Sequence, residues 1–258
     1  MFSLALAFLA TAALYASVGF GGGSTYNALL VLAGTDYRLV PVVGLACNLI
    51  VVAGGTLVYV RSGWLRLDVA LPLAIASVPC AWLGGATPVD QATFSLLLGG
   101  SLVVAGGLLL VPNRAVDGAD EMRISRRRLW LFGPVIGAAI GYLAGLVGIG
   151  GGIFLSPVLH LGRLAHPKVI AATASVFILV NSIAGLGGQW FKLQAAADLP
   201  DAGVYAWLLL AVFVGGQIGS RAGVRRLNGT AVRALTGVLV IYVGLRLLYT
   251  WWTIGARV

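Results

Sequence analysis

Gly19-Phe20-Gly21-Gly22-Gly23 and Gly148-Ile149-Gly150-Gly151-Gly152 are one five-residue pattern written twice, each copy set inside an apolar run. Three adjacent glycines cost about 1 kcal/mol each relative to alanine in a helix, so each copy marks a break. Before the first break, residues 2 to 18 read as an apolar helix. After it, residues 24 to 34 form a second apolar piece that ends at Gly34-Thr35-Asp36 and is too short to cross a bilayer.

The surroundings of the breaks set the class. Of 258 residues, 59% are hydrophobic and 10% charged, and the mean hydropathy is +0.98. A soluble surface does not tolerate that balance, and apolar stretches long enough to span recur along the whole chain. The fold class expected is an all-α polytopic membrane protein forming a single membrane domain over 1–258. The net charge of +9 does not indicate nucleic acid, because the Lys and Arg residues sit in short loops between apolar spans. Cys47 and Cys80 each lie inside an apolar segment, where packing accounts for them. Residues 1 to 18 lack a basic leader, and the glycine stretch that ends them recurs deep in the chain, so they are expected to stay in the mature protein.

Spans of ordinary length follow at about 40–60, 67–85 and 92–111, and then comes the most polar stretch, 112–128, which ends in Arg126-Arg127-Arg128. Beyond it the order repeats: a helix over 129–147, the break, a short piece over 153–162, and spans at about 168–190, 203–223 and 231–253. Asn48 with Gly54-Gly55 matches Asn181 with Gly187-Gly188, and Gly100 and Gly107 match Gly237 and Gly244. Four matched pieces in one order indicate a duplication, with repeat one at about 1–111, a basic linker at 112–128 and repeat two at about 129–258.

Charge then decides topology. If both pieces of each broken segment cross, the basic residues divide seven against ten. If each broken segment is a hairpin that returns to its own side, thirteen (Arg61, Arg66, Arg114, Arg123, Arg126, Arg127, Arg128, Arg163, Lys168, Arg221, Arg225, Arg226, Arg233) face four (Arg38, Lys192, Arg246, Arg257). The positive-inside rule selects the second arrangement: two inverted repeats, each a Gly-broken hairpin plus three transmembrane helices. The 113–128 loop is then cytoplasmic.

Unwound backbone survives in hydrocarbon only inside protein or beside a water-filled cavity, and the short helix after each break offers unpaired N–H groups and a positive dipole end. An oxyanion suits that end. The candidate binding residues are Gly21, Gly22, Gly23, Ser24, Thr25, Asn27 and Asn48 in the first half, and Gly150, Gly151, Gly152, Ile153, Thr173, Ser175 and Asn181 in the second. Asn48 and Asn181, at matched positions inside spans, either bond across helices or face the path. Ser182, Gln189 and Gln217 are further polar residues inside spans, and His160 reads as loop-facing. Gly137, Gly141 and Gly145, like Gly215, Gly219 and Gly223, recur every four residues, the spacing of close helix packing.

Neither glycine stretch continues into a phosphate loop or a dinucleotide fingerprint, so no cofactor is expected. All eight carboxylates lie in or beside loops, and no His, Cys or carboxylate constellation suggests an enzyme or a metal site. Trp64, Trp130, Trp190, Tyr249, Trp251 and Trp252 fall near span ends, where an aromatic belt is expected.

The Gly-Ile-Gly-Gly-Gly-Ile-Phe-Leu-Ser-Pro-Val-Leu segment at 148–159, its partner at 19–30, and Gly216-Gln217-Ile218-Gly219-Ser220-Arg221 followed by Leu235-Thr236-Gly237 resemble the TauE/SafE sulfite exporter family. The first copy departs from the second in having Ala28 for Pro157 and Asn27 for Ser156. The resemblance implies a secondary transporter that moves sulfite or an organosulfonate outward across the bacterial inner membrane. The partners expected are that small oxyanion and the lipid bilayer, with no nucleic acid; a homo-oligomer stays open. The alternatives are a passive anion channel and a non-transporting membrane assembly subunit.

The topology predicts that a cysteine introduced between 113 and 128 resists a membrane-impermeant thiol reagent in intact cells and reacts once the cells are permeabilised. Labelling in intact cells would refute it.

Overall fold

The structure, a computed structural model, describes residues 2–18, 21–110, 126–161, 165–194, 203–222 and 229–255. The described residues form ten α-helices: α1 (Phe2–Val18), α2 (Gly23–Leu32), α3 (Val40–Arg61), α4 (Leu67–Ala86), α5 (Gln91–Leu110), α6 (Arg126–Val147), α7 (Gly152–Leu161), α8 (Pro167–Gln194), α9 (Ala206–Ala222) and α10 (Gly229–Gly255). A single 3₁₀ turn, Gly203–Tyr205, precedes α9. The expected pieces are all present, and the described residues form no strand. Among the described residues, five helices are long and apolar enough to cross a membrane, over Val40–Arg61, Leu67–Ala86, Gln91–Leu110, Arg127–Val147 and Lys168–Gln194. The chain is a multi-pass membrane protein.

Contacts between helices keep their pattern when α1–α5 are exchanged for α6–α10. α4 packs on α6 and α8 as α9 packs on α1 and α3; α2 packs on α3 as α7 packs on α8; and α3 meets α8, and α5 meets α10, across the middle. Glycine makes the closest of these contacts possible. In α6, Gly137, Gly141 and Gly145 lie against the backbone carbonyls of Leu73, Ser77 and Ala81, and Gly215 and Gly219 of α9 lie against those of Leu9 and Ala13. The packing role expected of these glycines holds; Gly223 lies outside the described residues.

These contacts also give helix directions. Both numbers rise together along α4 and α6 and along α1 and α9, so each pair runs parallel. α4 and α8 are parallel too, because Ser77 meets Asn181 and Trp82 meets Gly188. α6 and α8 therefore start at the same end of the molecule, and α7, about 15 Å long at 1.5 Å per residue, carries the chain back between them. The same end gathers the α3–α4 and α7–α8 connections: the Trp64 ring stacks on His166 at 5.5 Å, and Lys168 Nζ sits 4.6 Å over it. Trp64 thus has a packing partner beyond a belt position, whereas Trp190, Tyr249 and Trp252 point outward. α6 differs from a short hairpin arm in being as long as a span, so the second hairpin has one long arm and one short.

α5 and α10 run antiparallel, Gly99 facing Gly244 and Gly106 facing Gly237. This corrects the repeat register by one residue. The equivalent pairs are Gly99 with Gly237 and Gly106 with Gly244, because Gly100 and Gly107 face open space. The Gly-Gly doublets hide the shift in the sequence, and only the helix contact tells the two glycines apart.

Gly106→Val would drive a side chain into the Gly237 carbonyl and Ile241, and should destabilise the protein by about 1–3 kcal/mol. Gly107→Val should cost nothing, since the site is open and glycine is itself the poorer helix former. Thermal unfolding of both variants in detergent checks the contrast.

Candidate functional site

The two breaks come together beside the middle of α3 and α8. Gly21 lies against Asn48 and Val52 of α3, Gly148 against Pro41, and Gly150 and Gly152 against Ile178 of α8. The breaks repeat down to hydrogen-bond register. Thr25 and Tyr26 donate to the Gly22 carbonyl, as Phe154 and Leu155 donate to that of Gly151. Gly22 and Gly151 have φ of 74° and 82°, a left-handed backbone that side chains disfavour, and this is why glycine stands at both. Gly19 and Phe20 lie outside the described residues. Residues 21–28 and 144–152 are buried throughout, so the breaks are wrapped in protein and are not open to a cavity.

A helix that ends in the interior leaves its last carbonyls without donors. Here three side-chain amides supply them. Gln189 Nε2 donates to Gly145 O (2.9 Å) and Leu146 O (3.2 Å), Asn27 Nδ2 to Val147 O (2.7 Å), and Asn48 Nδ2 to Ile149 O (3.0 Å). Asn27 and Asn48 belong to the first half and cover the break of the second, which ties the halves together. The amide oxygens of all three are buried with no donor among the described residues.

The beginning of α7 is the reverse case. Among the described residues, no acceptor faces the N–H groups of Gly150, Gly151, Gly152 and Ile153. Beside them lies the Ser182 hydroxyl, 3.1 Å from the Cβ position of Gly150; the fully buried Asn181 turns to α4, its Oδ1 accepting from Ser77 Oγ at 2.8 Å. Asn181 Nδ2 and Ser182 Oγ have no partner there. At the first break, Thr25 Oγ1 is taken by Tyr15 OH at 3.0 Å, and the Tyr15 ring lies against Gly22; Ser24 is buried beside it.

Of the sequence candidates, the structure brings together Gly21, Gly22, Gly23, Asn27, Asn48, Gly150, Gly151 and Gly152, with Ile153 half-buried at the start of α7. Thr173 and Ser175 are buried on either side of Ala174, whose carbonyl faces Gly152. Asn48 and Asn181 occupy matched positions but do different work, one bonding a break and the other bonding α4. Ser182, Gln189 and Gly44 were not among the candidates. Gln189 and Ser182 were visible as polar residues inside an apolar span; Gly44 gave only the signal of standing one turn before Asn48.

No buried side chain among the described residues carries a charge, and no group of His, Cys, Asp and Glu there could hold a metal. Charge stays at the surface, where Arg38 bonds Asp36 at 2.8 Å. These bonds hold the Asp36 carboxyl below its usual range.

Residues 4–247 match the family described as "Sulfite exporter TauE/SafE". The chain is 33% identical over 246 residues, covering 95% of it and 97% of the relative, to "Probable membrane transporter protein y4hK" of Sinorhizobium fredii. It is 24% identical over 261 residues, covering 90% and 91%, to "Probable membrane transporter protein YunE" of Bacillus subtilis. No solved structure matches the chain. With a family match over nearly its whole length and membrane transporters as its relatives, the chain belongs to the TauE/SafE family and is a membrane transporter.

Proposed function

We propose that this transporter moves a small sulfur oxyanion, sulfite or an organosulfonate, outward across the bacterial inner membrane by alternating access. The observation that carries the reading is the opposite treatment of the two ends of the second break. The carbonyl end of α6 is covered by three amides, whereas the N–H end of α7 is left open to an acceptor. Glycines let an oxyanion approach those N–H groups, and the dipole of α7 favours its charge. Ser182 Oγ, buried and unpartnered among the described residues, adds a donor beside Gly150. The first break, with the backbone of Gly21 to Thr25, is the matching half of the site.

Sulfite enters this reading from the family description, and an anion is supported by the donor set. The antiparallel α5 and α10 and the common starting end of α6 and α8 support repeats inverted across the membrane, with the 113–128 loop on the cytoplasmic side. Breaks buried on every side favour alternating access over a passive channel, which needs a continuous open path. Rocking of one part of the repeat against the other would expose the site to each side in turn.

Purified protein in sulfite-loaded liposomes should release sulfite, and Gly151→Leu and Gly22→Leu should reduce release to that of protein-free liposomes while both variants still reach the membrane. Gln217→Ala should retain most of the flux. Wild-type flux in Gly151→Leu would remove the anion site from this break. Ser182→Ala should weaken sulfite binding by about 1 kcal/mol or more, the worth of one hydrogen bond to a charged group, measured by titration calorimetry.

A further inference from the structure

We propose that the buried junction of α2, α3 and the end of α6 binds a small monovalent cation of the sodium class, held by Asn27 Oδ1 and the Gly148 carbonyl. Asn27 is fully buried. Its Nδ2 is spent on Val147 O at 2.7 Å, and its Oδ1 has no donor among the described residues. That oxygen and Gly148 O converge on Gly44, both lying no more than 2.9 Å from the point where a Cβ of residue 44 would sit. Among the described residues no backbone N–H reaches Gly148 O. Two acceptors therefore face one small space with no proton between them.

Turning the amide over does not relieve this. Oδ1 would then face Val147 O, and the amide stands between two carbonyls with donors on only one of its sides. A buried acceptor without a donor is costly, and a cation satisfies two at once. The position favours positive charge for a second reason: it lies at the carbonyl end of α6, the negative end of that helix dipole. Neutral oxygens with no carboxylate near them suit a monovalent ion and not a divalent one, in keeping with the lack of any acidic cluster among the described residues. Discontinuous membrane helices use this division of labour, carbonyl ends for cations and N–H ends for anions.

The consequence for transport rests on the oxyanion reading above. An oxyanion entering this core meets no charged side chain among the described residues, so a co-bound cation supplies the neutralising charge. Asn48 Oδ1, one turn along α3 from Gly44 and beside Gly21, is a further acceptor without a donor among the described residues. A monovalent anion that travels with the cation crosses without net charge. The product of the two concentration ratios, and not the membrane potential, then sets the direction of net flux.

The test follows thermal unfolding of the purified full-length transporter in NaCl, KCl and choline chloride at one ionic strength, with and without sulfite. Sodium should raise the unfolding temperature in the absence of sulfite, choline should not, and sodium should lower the sulfite Kd roughly tenfold, a usual size for coupling between two sites. Asn27→Leu should lose the sodium response and Asn27→Asp should tighten it. Equal unfolding temperatures in sodium and choline overturn the cation site. A sodium response that survives in Asn27→Leu overturns its location. Where that variant does not fold, a sodium Kd unchanged in Asn27→Asp overturns the location instead. A sodium response without any sulfite binding leaves the cation site standing and overturns the oxyanion reading.

Discussion

Inside hydrocarbon there is no water to bond the last carbonyls of a helix that stops short, and each one left bare costs several kcal/mol. The second break of this protein exists because Gln189, Asn27 and Asn48 bond four such carbonyls, those of Gly145, Leu146, Val147 and Ile149. Two of the three amides come from the other half of the chain. The covering of the second break therefore depends on the docking of α2 and α3 against it.

This clasp gives the degenerate first copy a role. Asn27 stands where the second copy has Ser156, and Ala28 where it has Pro157. The asparagine reaches Val147 O, and the alanine is fully buried in the same core. The two breaks are alike in backbone and differ in side chains: the first half supplies two of the three amides, and the second supplies Gln189 and the carbonyls they cover. The matched asparagines show the same divergence, since Asn48 holds a break while Asn181 bonds Ser77 on α4.

Much of the rest follows from glycine used in two ways. At Gly22 and Gly151 it permits a backbone that other residues disfavour. Along α6 and α9 it removes side chains so that helices meet backbone to backbone, with Gly137 on Leu73 and Gly215 on Leu9. In lipid, where burying apolar surface gains little, such close packing supplies the attraction between helices. The large outward side chains, among them Phe2, Trp207 and Trp252, face the bilayer.

The class of fold, the helical pieces of the described residues and the position of both breaks were legible in the sequence, because hydropathy, glycine runs and loop charges are local quantities that hydrocarbon reads directly. The placement of thirteen basic residues is what raised the expectation that the broken segments return as hairpins. What the amides do was not. Asn48 and Asn181 look alike in the sequence, Gln189 looks like one polar residue in a span, and Gly99 cannot be told from Gly100. Each of these depends on which backbone stands opposite, across separations such as the 120 residues between Asn27 and Val147. Composition and hydropathy determined that this chain is a multi-pass membrane protein with two glycine-broken segments. Tertiary packing alone decided which carbonyls are covered and which N–H groups stay open, because a hydrogen bond depends on the distance between atoms and not on their order along the chain.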